Sequence, residues 1–400
     1  MFILLKLATI REELSKKIQD RSEILSIIRK IIALILVVGA LWYFYGNTFS
    51  QSGFQGVFDD IRSDVNEVIE NPQVISVINT IDQEIRQLYD KFSGDIEENE
   101  QSTEPIHEKP NLEPPSEQSF SIHNIELGDN RSEVEQQVGK HERSSLNEYG
   151  VDWVSYHENY QNFFMVAYDG QDQVIGLYTN QDLLSSTHGI TFESSRETVL
   201  STLPDPLKTI RKGFVNYQIQ DNQEYNTFDI DNNYVTIFYD KHESSTVTAV
   251  QIISKELEQQ KEKYFAVPSE ELKEGFEYQL FDLTNAARVN HGLPLLTWEE
   301  SVRKTARDHS TDMADNNYFS HTNLEGQSPF DRMTEDAIAY RMAGENLAAG
   351  QPSSIFAHEG LMNSLGHREN KLHEDFRSLS VGVAFNSDSQ PFYTENYVTK

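Results

Sequence analysis

The chain has 400 residues and no cysteine, which excludes disulfides, thiolate metal sites and thiol nucleophiles. Hydrophobic residues make up 38% of it, with 22 Phe and 18 Tyr, a content that a wholly disordered chain lacks. The formal net charge is −31, and so acidic a surface repels nucleic acid phosphates. We therefore expect two or three folded domains and exclude nucleic acid as a partner.

An uncharged run, IIALILVVGALWYFYG, occupies residues 31–46. As a helix it would be about 24 Å long, slightly short of the ~30 Å hydrocarbon core of a bilayer, and apolar residues extend it beyond Arg29 and Lys30. Those two cations can reach the membrane interface, while Trp42 and two tyrosines mark the opposite end. We predict a transmembrane anchor over residues 24–46. A cleaved signal peptide and a buried core helix are the alternatives.

The distribution of charge predicts the orientation of this anchor. Residues 1–46 carry seven basic and four acidic side chains, all of them before the uncharged run. Basic residues favour the cytoplasmic side of a membrane. We therefore expect residues 1–23 to be cytoplasmic, the protein to cross the cell membrane once, and the domains that follow to be extracytoplasmic.

Two segments separate the anchor from the first folded domain. Apolar residues three and four apart, such as Ile61, Val65 and Val68, predict a helical stalk over residues 47–92. The spacing is similar to a coiled coil, but each run is shorter than three heptads. Two interpretations of the stalk stay open. It self-associates, or it is a helix that lies on the membrane or on its own domain. Residues 93–119 are polar, contain four prolines and predict a disordered linker.

Residues 120–255 contain an approximate internal repeat. The sequence RSEVEQQVGKH, from Arg131, aligns with RETVLSTLPDP, from Arg196, at an offset of 65. Each copy predicts a short helix ended by Gly or Pro and followed by strands. The predicted strands are residues 163–168 and 174–178 in the first copy and 234–239 and 246–253 in the second. We predict a repeated α+β domain in which each helix packs on a small antiparallel sheet.

The C-terminal region, residues 265–400, combines helical and strand patterns. Apolar residues from Phe276 to Ala287 follow helical spacing, and Thr297 with Glu300 predicts a capping box at the start of the next helix. Two strands are predicted at residues 380–385 and 392–398. The pattern indicates an α+β domain with helices layered on a sheet, large enough to fold by itself.

Three polar residues of this region suggest metal chemistry: His321, Glu345 and His367. Two imidazoles and a carboxylate suit Zn²⁺ and similar divalent ions. Their spacings of 24 and 22 residues carry no local geometry, so from spacing alone three unrelated polar residues are the better interpretation. His309, on an apolar helical stripe, is interpreted as a hydrogen-bonded core histidine.

Five stretches of the region, in this order, resemble the CAP superfamily of cysteine-rich secretory proteins, venom allergens and plant pathogenesis-related proteins. They are LTNAAR from Leu283, ARDHSTDMA from Ala306, FSH from Phe319, GENL from Gly344 and MNSLGHREN from Met362. The resemblance implies an α-β-α sandwich with a central antiparallel sheet and a surface cleft. Residues 120–255 are similar to the domain found N-terminal to CAP domains in Firmicute, hence Gram-positive, membrane proteins, which implies architecture and no chemistry.

The resemblance also implies a set of cleft residues. In many CAP proteins the cleft holds two His and two acidic residues, and His321, Glu345 and His367 match three of them. The fourth position differs, because Ser364 stands where eukaryotic members often have Glu. We expect a cleft formed by these four residues and Asn346. Its expected cofactor is at most a weakly bound divalent cation such as Zn²⁺, with the two His and Glu345 as ligands.

The function we expect is that of a binding module at the cell surface. Its CAP cleft would take a cell-wall component, a peptide or a lipid. The alternative is a metal-assisted hydrolase, in which the two His hold a cation and Glu345 is a ligand or general base. Binding is favoured because the sequence shows no activated Ser and no compact metal-binding helix. A third interpretation assigns recognition to the repeated domain, with the CAP domain as a platform.

Overall fold

The structure, a computed structural model, describes residues 108–219 and 223–400. The predicted cytoplasmic segment, anchor and stalk lie outside these ranges. Within them, no helix combines the length and the apolar composition that crossing a bilayer requires. Both folded domains that the sequence predicts fall inside the described ranges, the N-terminal domain up to residue 260 and the C-terminal domain from residue 265.

The elements of the N-terminal domain follow in chain order: β1 (Phe120–Ile122), α1 (Arg131–Val138), β2 (Arg143–Leu146), β3 (Asp152–Glu158), β4 (Gln161–Tyr168), β5 (Val174–Thr179), β6 (Leu184–Ser186), α2 (Arg196–Thr202), β7 (Thr209–Lys212), β8 (Val215–Gln218), β9 (Tyr225–Ile230), β10 (Asn233–Asp240), β11 (Thr246–Ser254) and α3 (Lys255–Gln260). The short strands β1 and β6 pair with each other, as do β7 and β8.

The main sheet of this domain has seven antiparallel strands in the order β2-β3-β4-β5-β11-β10-β9. Strands β3–β5 form one meander and β9–β11 another. β5 pairs with β11 at the centre of the sheet and so joins the two meanders. α1 precedes the first meander and α2 the second, and each helix is capped by a side chain, Asn130 and Ser195 respectively. A helix thus precedes a meander in each half, but the halves differ, since β7 and β8 form a separate hairpin whereas β2 belongs to the main sheet, and the repeat stays a prediction.

Both faces of the main sheet are apolar. In β4, Phe164 and Val166 join the core beneath α1 and α2. Phe163 and Met165 alternate with them and lie on the opposite face, in a cluster with Trp153. A sheet that is apolar on both faces needs a second layer of covering elements.

Part of the predicted linker is fixed on this domain. The prediction of disorder extends to residue 119, but the Glu126 carboxylate accepts hydrogen bonds from the backbone N–H groups of Ser116, Glu117 and Gln118 at 2.6–2.9 Å. The composition of the linker does not reveal this order, because the acceptor lies outside it.

The elements of the C-terminal domain are α4 (Glu270–Asn290), β12 (Thr297–Trp298), α5 (Glu300–Asn316), α6 (Pro329–Glu335), β13 (Met342–Ala349), α7 (Ser354–Met362), α8 (Leu365–Lys371), β14 (Ser378–Phe385) and β15 (Pro391–Thr399). Their sheet has the order β12-β14-β15-β13.

Helices cover both faces of this second sheet. Val381 of β14 packs in a cluster with residues of α4 and α7, including Phe276 and Leu361. Gly382, on the opposite face, lies against α5 so closely that a Cβ there would be 2.2 Å from the carbonyl carbon of Ala306. Since successive residues of a strand face opposite sides, the sheet is the middle layer of an α-β-α arrangement.

One local feature of the C-terminal domain differs from the sequence prediction, and one strand was not predicted. Thr297 belongs to β12, where it pairs with Ser378 of β14, and the helix cap is Glu299. The stretch that begins at Gly344 lies in β13, which pairs with β15 over its whole length. In both places pairing with a distant strand determines the local conformation.

The C-terminal domain supplies the second cover of the N-terminal sheet. Leu283 of α4 and Ile355 of α7 belong to the same buried cluster as Trp153 and Phe163. Gly275 of α4 approaches β2 so closely that a Cβ would be 2.1 Å from the carbonyl oxygen of Leu146. A separate C-terminal fragment would therefore expose apolar side chains that the intact chain buries.

Buried polar contacts tie the same interface together. Arg143 and Tyr160 of the N-terminal domain each donate a hydrogen bond of 2.8 Å to the carboxylate of Asp282. The Tyr178 hydroxyl donates to the Glu359 carboxylate at 2.7 Å. Burial raises the pKa of Glu359 to about 7, and the charge of Asp240 adds to the effect.

We predict that Gly275→Ala destabilises fragment 103–400, which forms a compact unit by itself. The new methyl group would overlap the Leu146 carbonyl, and overpacking of this kind costs about 1–3 kcal/mol. Gly366→Ala in α8 is the matched control, because a Cβ there meets nothing within 4 Å. Urea denaturation of the two variants measures the difference. Equal stability of Gly275→Ala and the control would contradict the close approach of the two domains.

Candidate functional site

His321 and Glu345 are in direct contact. His321 lies in the loop between α5 and α6, and Glu345 lies in β13, an edge strand of the sheet. The distance from Nδ1 of His321 to Oε1 of Glu345 is 2.9 Å. The side chain of Glu345 is 2% exposed and that of His321 is 52% exposed. A buried carboxylate therefore holds an imidazole whose other edge faces solvent.

Arg332 of α6 binds the second oxygen of Glu345. Its guanidinium donates to Oε2 at 2.6 Å, and to the carbonyl oxygens of His321 at 2.8 Å and Gln327 at 3.1 Å. One buried cation thus fixes both the carboxylate and the loop that carries the imidazole. Arg332 was not predicted from the sequence.

A local sequence feature predicts the helix that carries Arg332. Ser328 and Asp331 form a capping box with Pro329 as the first helical residue, so α6 could have been predicted from SPFD. That prediction would have placed Arg332 on a helix, but not beside Glu345.

His367 of α8 faces the same region. Its Nδ1 lies 2.7 Å from the hydroxyl oxygen of Ser364. Burial lowers the pKa of His367; the Glu395 carboxylate counteracts this shift, and the charge of His321 adds to it. Because Nδ1 is engaged in both rings, each histidine offers Nε2 to a ligand.

Asn346 is fully buried behind these residues. Its side-chain N–H groups donate to the carbonyl oxygen of His367 and to the carboxylate of Glu395, both at 3.0 Å, and its carbonyl oxygen accepts from Asn370 at 2.9 Å. Asn346 therefore holds α8 against β13 and supports the cleft from inside.

A buried ion pair continues this support. Lys371 of α8 donates to Glu395 of β15 at 2.6 Å and to the hydroxyl of Thr284 at 2.8 Å. The hydroxyl of Tyr397 donates to the second oxygen of Glu395 at 2.7 Å. Burial lowers the pKa of Lys371, and the Glu395 carboxylate counteracts that shift. Neither charge of this pair was found from the sequence, because nothing local brings them together.

Two protein-family models match the chain. Residues 281–397 match the cysteine-rich secretory protein family (CAP), and residues 127–264 match the CAP-associated N-terminal family. The C-terminal domain is a CAP domain. The N-terminal domain is accordingly the CAP-associated domain, in the order that the sequence resemblance implies.

Relatives from Bacillus subtilis (strain 168) share these domains. An uncharacterized membrane protein, YlbC, is 28% identical over 291 residues, which cover 68% of this chain and 82% of that protein. The uncharacterized protein YkwD is 39% identical over 125 residues, which cover 31% of this chain and 48% of that protein.

Solved structures have the same fold. A crystal structure of an extracellular protein containing an SCP domain, from Bacillus anthracis, is 26% identical with a TM-score of 0.60, over 74% of this chain and 100% of that one. A cysteine-rich secretory protein from Staphylococcus aureus, at 13% identity, has a TM-score of 0.56 over 72% of this chain and 98% of that one, which shows likeness of fold alone.

The CAP-associated domain holds the CAP segment that carries Ser364 and His367. At one end of this segment, the Asn363 side chain accepts from the backbone N–H of Lys241 and donates to the carbonyl oxygen of Tyr239, both at 2.9 Å. At the other end, Arg368 donates to the Asp240 carboxylate at 2.7 Å. The end of β10 and the residue after it therefore fix the position of the segment that carries Ser364 and His367.

The expectation that His321, Glu345 and His367 bind a divalent cation stays a prediction. Among the residues that the structure describes, no group of three His, Cys, Asp or Glu is placed to hold a metal ion. Arg332 and His321 bind the two oxygens of Glu345.

We predict that Glu345→Ala lowers the free energy of unfolding by about 3–5 kcal/mol, because it leaves the buried Arg332 guanidinium without its carboxylate. His321→Ala removes the other partner of Glu345, but from a half-exposed position, and should cost no more than about 1 kcal/mol. Chemical denaturation of the two variants compares these partners directly. A similar loss in both would show that the Arg332 pair is not the stabilising one.

Proposed function

We propose that this protein is a membrane-anchored, extracytoplasmic binding module of the bacterial cell envelope, in which the CAP cleft around His321 and His367 takes the ligand. The observation that carries the proposal is the fixed position of the exposed His321 ring. A buried carboxylate and a buried guanidinium orient it from behind. A rigid polar group that faces solvent is suited to recognition, because little entropy is lost when a ligand binds it.

The proposed location rests on the uncharged run at residues 31–46, the basic residues before it and the relatives. One relative is named a membrane protein and another an extracellular protein.

Protease added to intact protoplasts should therefore degrade both domains of the full chain, as detected with antibodies against the CAP domain. Complete protection would contradict an extracytoplasmic position, and release of the whole protein into the medium would contradict a membrane anchor.

The cavity beside the cleft favours a polar ligand over a lipid. It has a volume of about 310 Å³ and shares Arg332 with the site. Its acidic lining residues outnumber the basic ones and are Asp308, Asp312, Glu325, Glu335 and Asp336. Such a lining attracts amino groups, so a peptide or another amine-bearing component of the cell wall is the ligand class we propose.

For a divalent cation we propose a weak site at the two Nε2 atoms. In this arrangement Glu345 accepts the Nδ1 hydrogen of His321 and orients the ring, and the Ser364 hydroxyl lies in the corresponding position for His367. Carboxylates and hydroxyls commonly orient metal-binding imidazoles in this way. Two protein donors alone give modest affinity, in contrast to a closed site with four.

Hydrolysis is the weaker alternative. The contact between Ser364 and His367 has the geometry of a nucleophile and a base, at 2.7 Å. A catalytic histidine of this kind also needs an orienting group on its second nitrogen. In the described residues no such contact is made by Nε2 of His367, and the Ser364 hydroxyl is better interpreted as the group that orients the ring.

We predict that fragment 103–400 sediments with isolated cell walls and that the double substitution of His321 and His367 by Ala weakens this binding at least tenfold. Assays with EDTA and with added Zn²⁺ separate a direct role of the imidazoles from a role through the cation. Ser364→Ala should retain binding, whereas it would abolish wall hydrolysis if a serine nucleophile were used. Equal sedimentation of the wild type and the double variant would remove the cleft as the binding site.

A further inference from the structure

A second cavity lies between the two domains, away from the histidine cleft. Its volume is about 610 Å³, within the usual range for ligand pockets, which often occur at domain interfaces. The CAP-associated domain contributes the edge of its main sheet, and the CAP domain contributes the turn after β13 and one side of α7. None of the residues proposed for the histidine cleft lines this cavity.

Aromatic rings from both domains form a rigid wall of the cavity. Phe356 of α7 stacks edge-on against Tyr225 and Phe238, with centroid distances of 5.2 and 5.3 Å. Tyr264 and Phe265, in the connection between the domains, line another part and lie 4.9 Å apart. The rings are held by one another, so the wall exists before any ligand binds.

Three carboxamides complement the rings, from Gln218, Gln351 and Gln390. The side-chain oxygen of Gln351 is buried and accepts no hydrogen bond. A buried acceptor without a donor is unfavourable, so the oxygen loses no hydrogen bond when the carboxamide rotates and turns it into the cavity, where a ligand N–H or O–H group can donate to it. Nε2 of Gln390 lies 2.8 Å from the position that a Cβ at residue 350 would occupy, so Gly350 leaves room for the Gln390 amide.

The cavity has no positive charge with which to bind an anion. Among the described residues that line it, none is Lys or Arg. Its two carboxyl groups already have partners, Lys241 for Glu224 at 2.6 Å and Tyr178 for Glu359 at 2.7 Å. The lining therefore favours a neutral ligand that presents flat apolar faces to aromatic rings and hydroxyl or amide groups to carboxamides.

We propose that this interdomain cavity binds a segment of a neutral oligosaccharide. Sugar rings have apolar C–H faces that pack on aromatic rings, and their edges carry hydroxyl or acetamido groups that pair with carboxamides. After rotation of its carboxamide, the Gln351 oxygen is the acceptor for one of these donors. The site is separate from the histidine cleft and does not depend on the function proposed for that cleft.

The test is calorimetric titration of fragment 103–400 with chitotetraose and with cellotetraose. Binding of at least one of them is expected. Tighter binding of chitotetraose assigns the donor to an acetamido N–H, and equal binding assigns it to a hydroxyl group. Gln351→Met keeps the length of the side chain and removes the acceptor, and it should weaken binding by roughly three- to tenfold.

Gly360→Leu is the blocking variant. Gly360 lines the cavity from α7, and the nearest atom to a Cβ there, Nε2 of Gln351, is 4.0 Å away. A leucine would therefore fill the cavity and strengthen the helix, so binding should be lost while the unfolding midpoint is unchanged or higher. Gly170→Leu, at an exposed turn with open surroundings, is the control and should bind like the wild type.

Two results would overturn the proposal. One is the absence of heat with both oligosaccharides at millimolar concentration, with the wild-type fragment folded. The other is equal binding by the wild type and Gly360→Leu, which would place the sugar elsewhere. A proline-rich peptide is titrated in parallel, because aromatic grooves also bind such peptides. Binding of the peptide that Gly360→Leu abolishes, without binding of sugar, would replace the oligosaccharide with a peptide.

Discussion

The structure depends on a β-sheet that must be covered on both faces. Alternate residues of β4 enter two different clusters, Phe164 and Val166 on one side and Phe163 and Met165 on the other. The helices of the CAP-associated domain cover the first face, and α4 and α7 of the CAP domain cover the second. Burial of apolar area is the main force that favours folding. The second face therefore joins the two domains, which belong to different sequence families, into one structural unit. The interdomain cavity is the part of the same junction that the side chains leave unfilled.

This junction also determines the geometry of the histidine cleft. The CAP segment with Ser364 and His367 is held from outside by Asp240 and its neighbours, and from inside by the Lys371–Glu395 pair. Buried charges of this kind contribute little net stability, but they are costly to leave unpaired and therefore favour one arrangement. The histidine cleft thus depends on both domains, although all the residues proposed to contact a ligand in this cleft come from the CAP domain.

The sequence predicted those elements whose pattern is local. The apolar stripe from Phe276 gave α4, and the last two strands followed from alternation in residues 380–385 and 392–398. β13 was missed because it is rich in Gly and Ala, and its conformation comes from pairing with β15. For the site, family resemblance brought His321 and Glu345 together, which their spacing could not do. Neither residue spacing nor family resemblance identified Arg332 and Glu395. The spacing of residues in a single sequence does not show which distant residues pair in a buried site.

The position of β15 between β13 and β14 has a consequence for the order of folding. β15 follows both neighbours in the chain, so the CAP sheet cannot form until the last of its strands has been synthesised. Until then α4 and α7 lack a support, and the second face of the CAP-associated sheet, with Trp153 and Phe163, is open to solvent. A chain delivered in order from its N-terminus therefore passes through a stage with a large exposed apolar surface. During that stage, folding factors that cover apolar surface would protect the chain against aggregation.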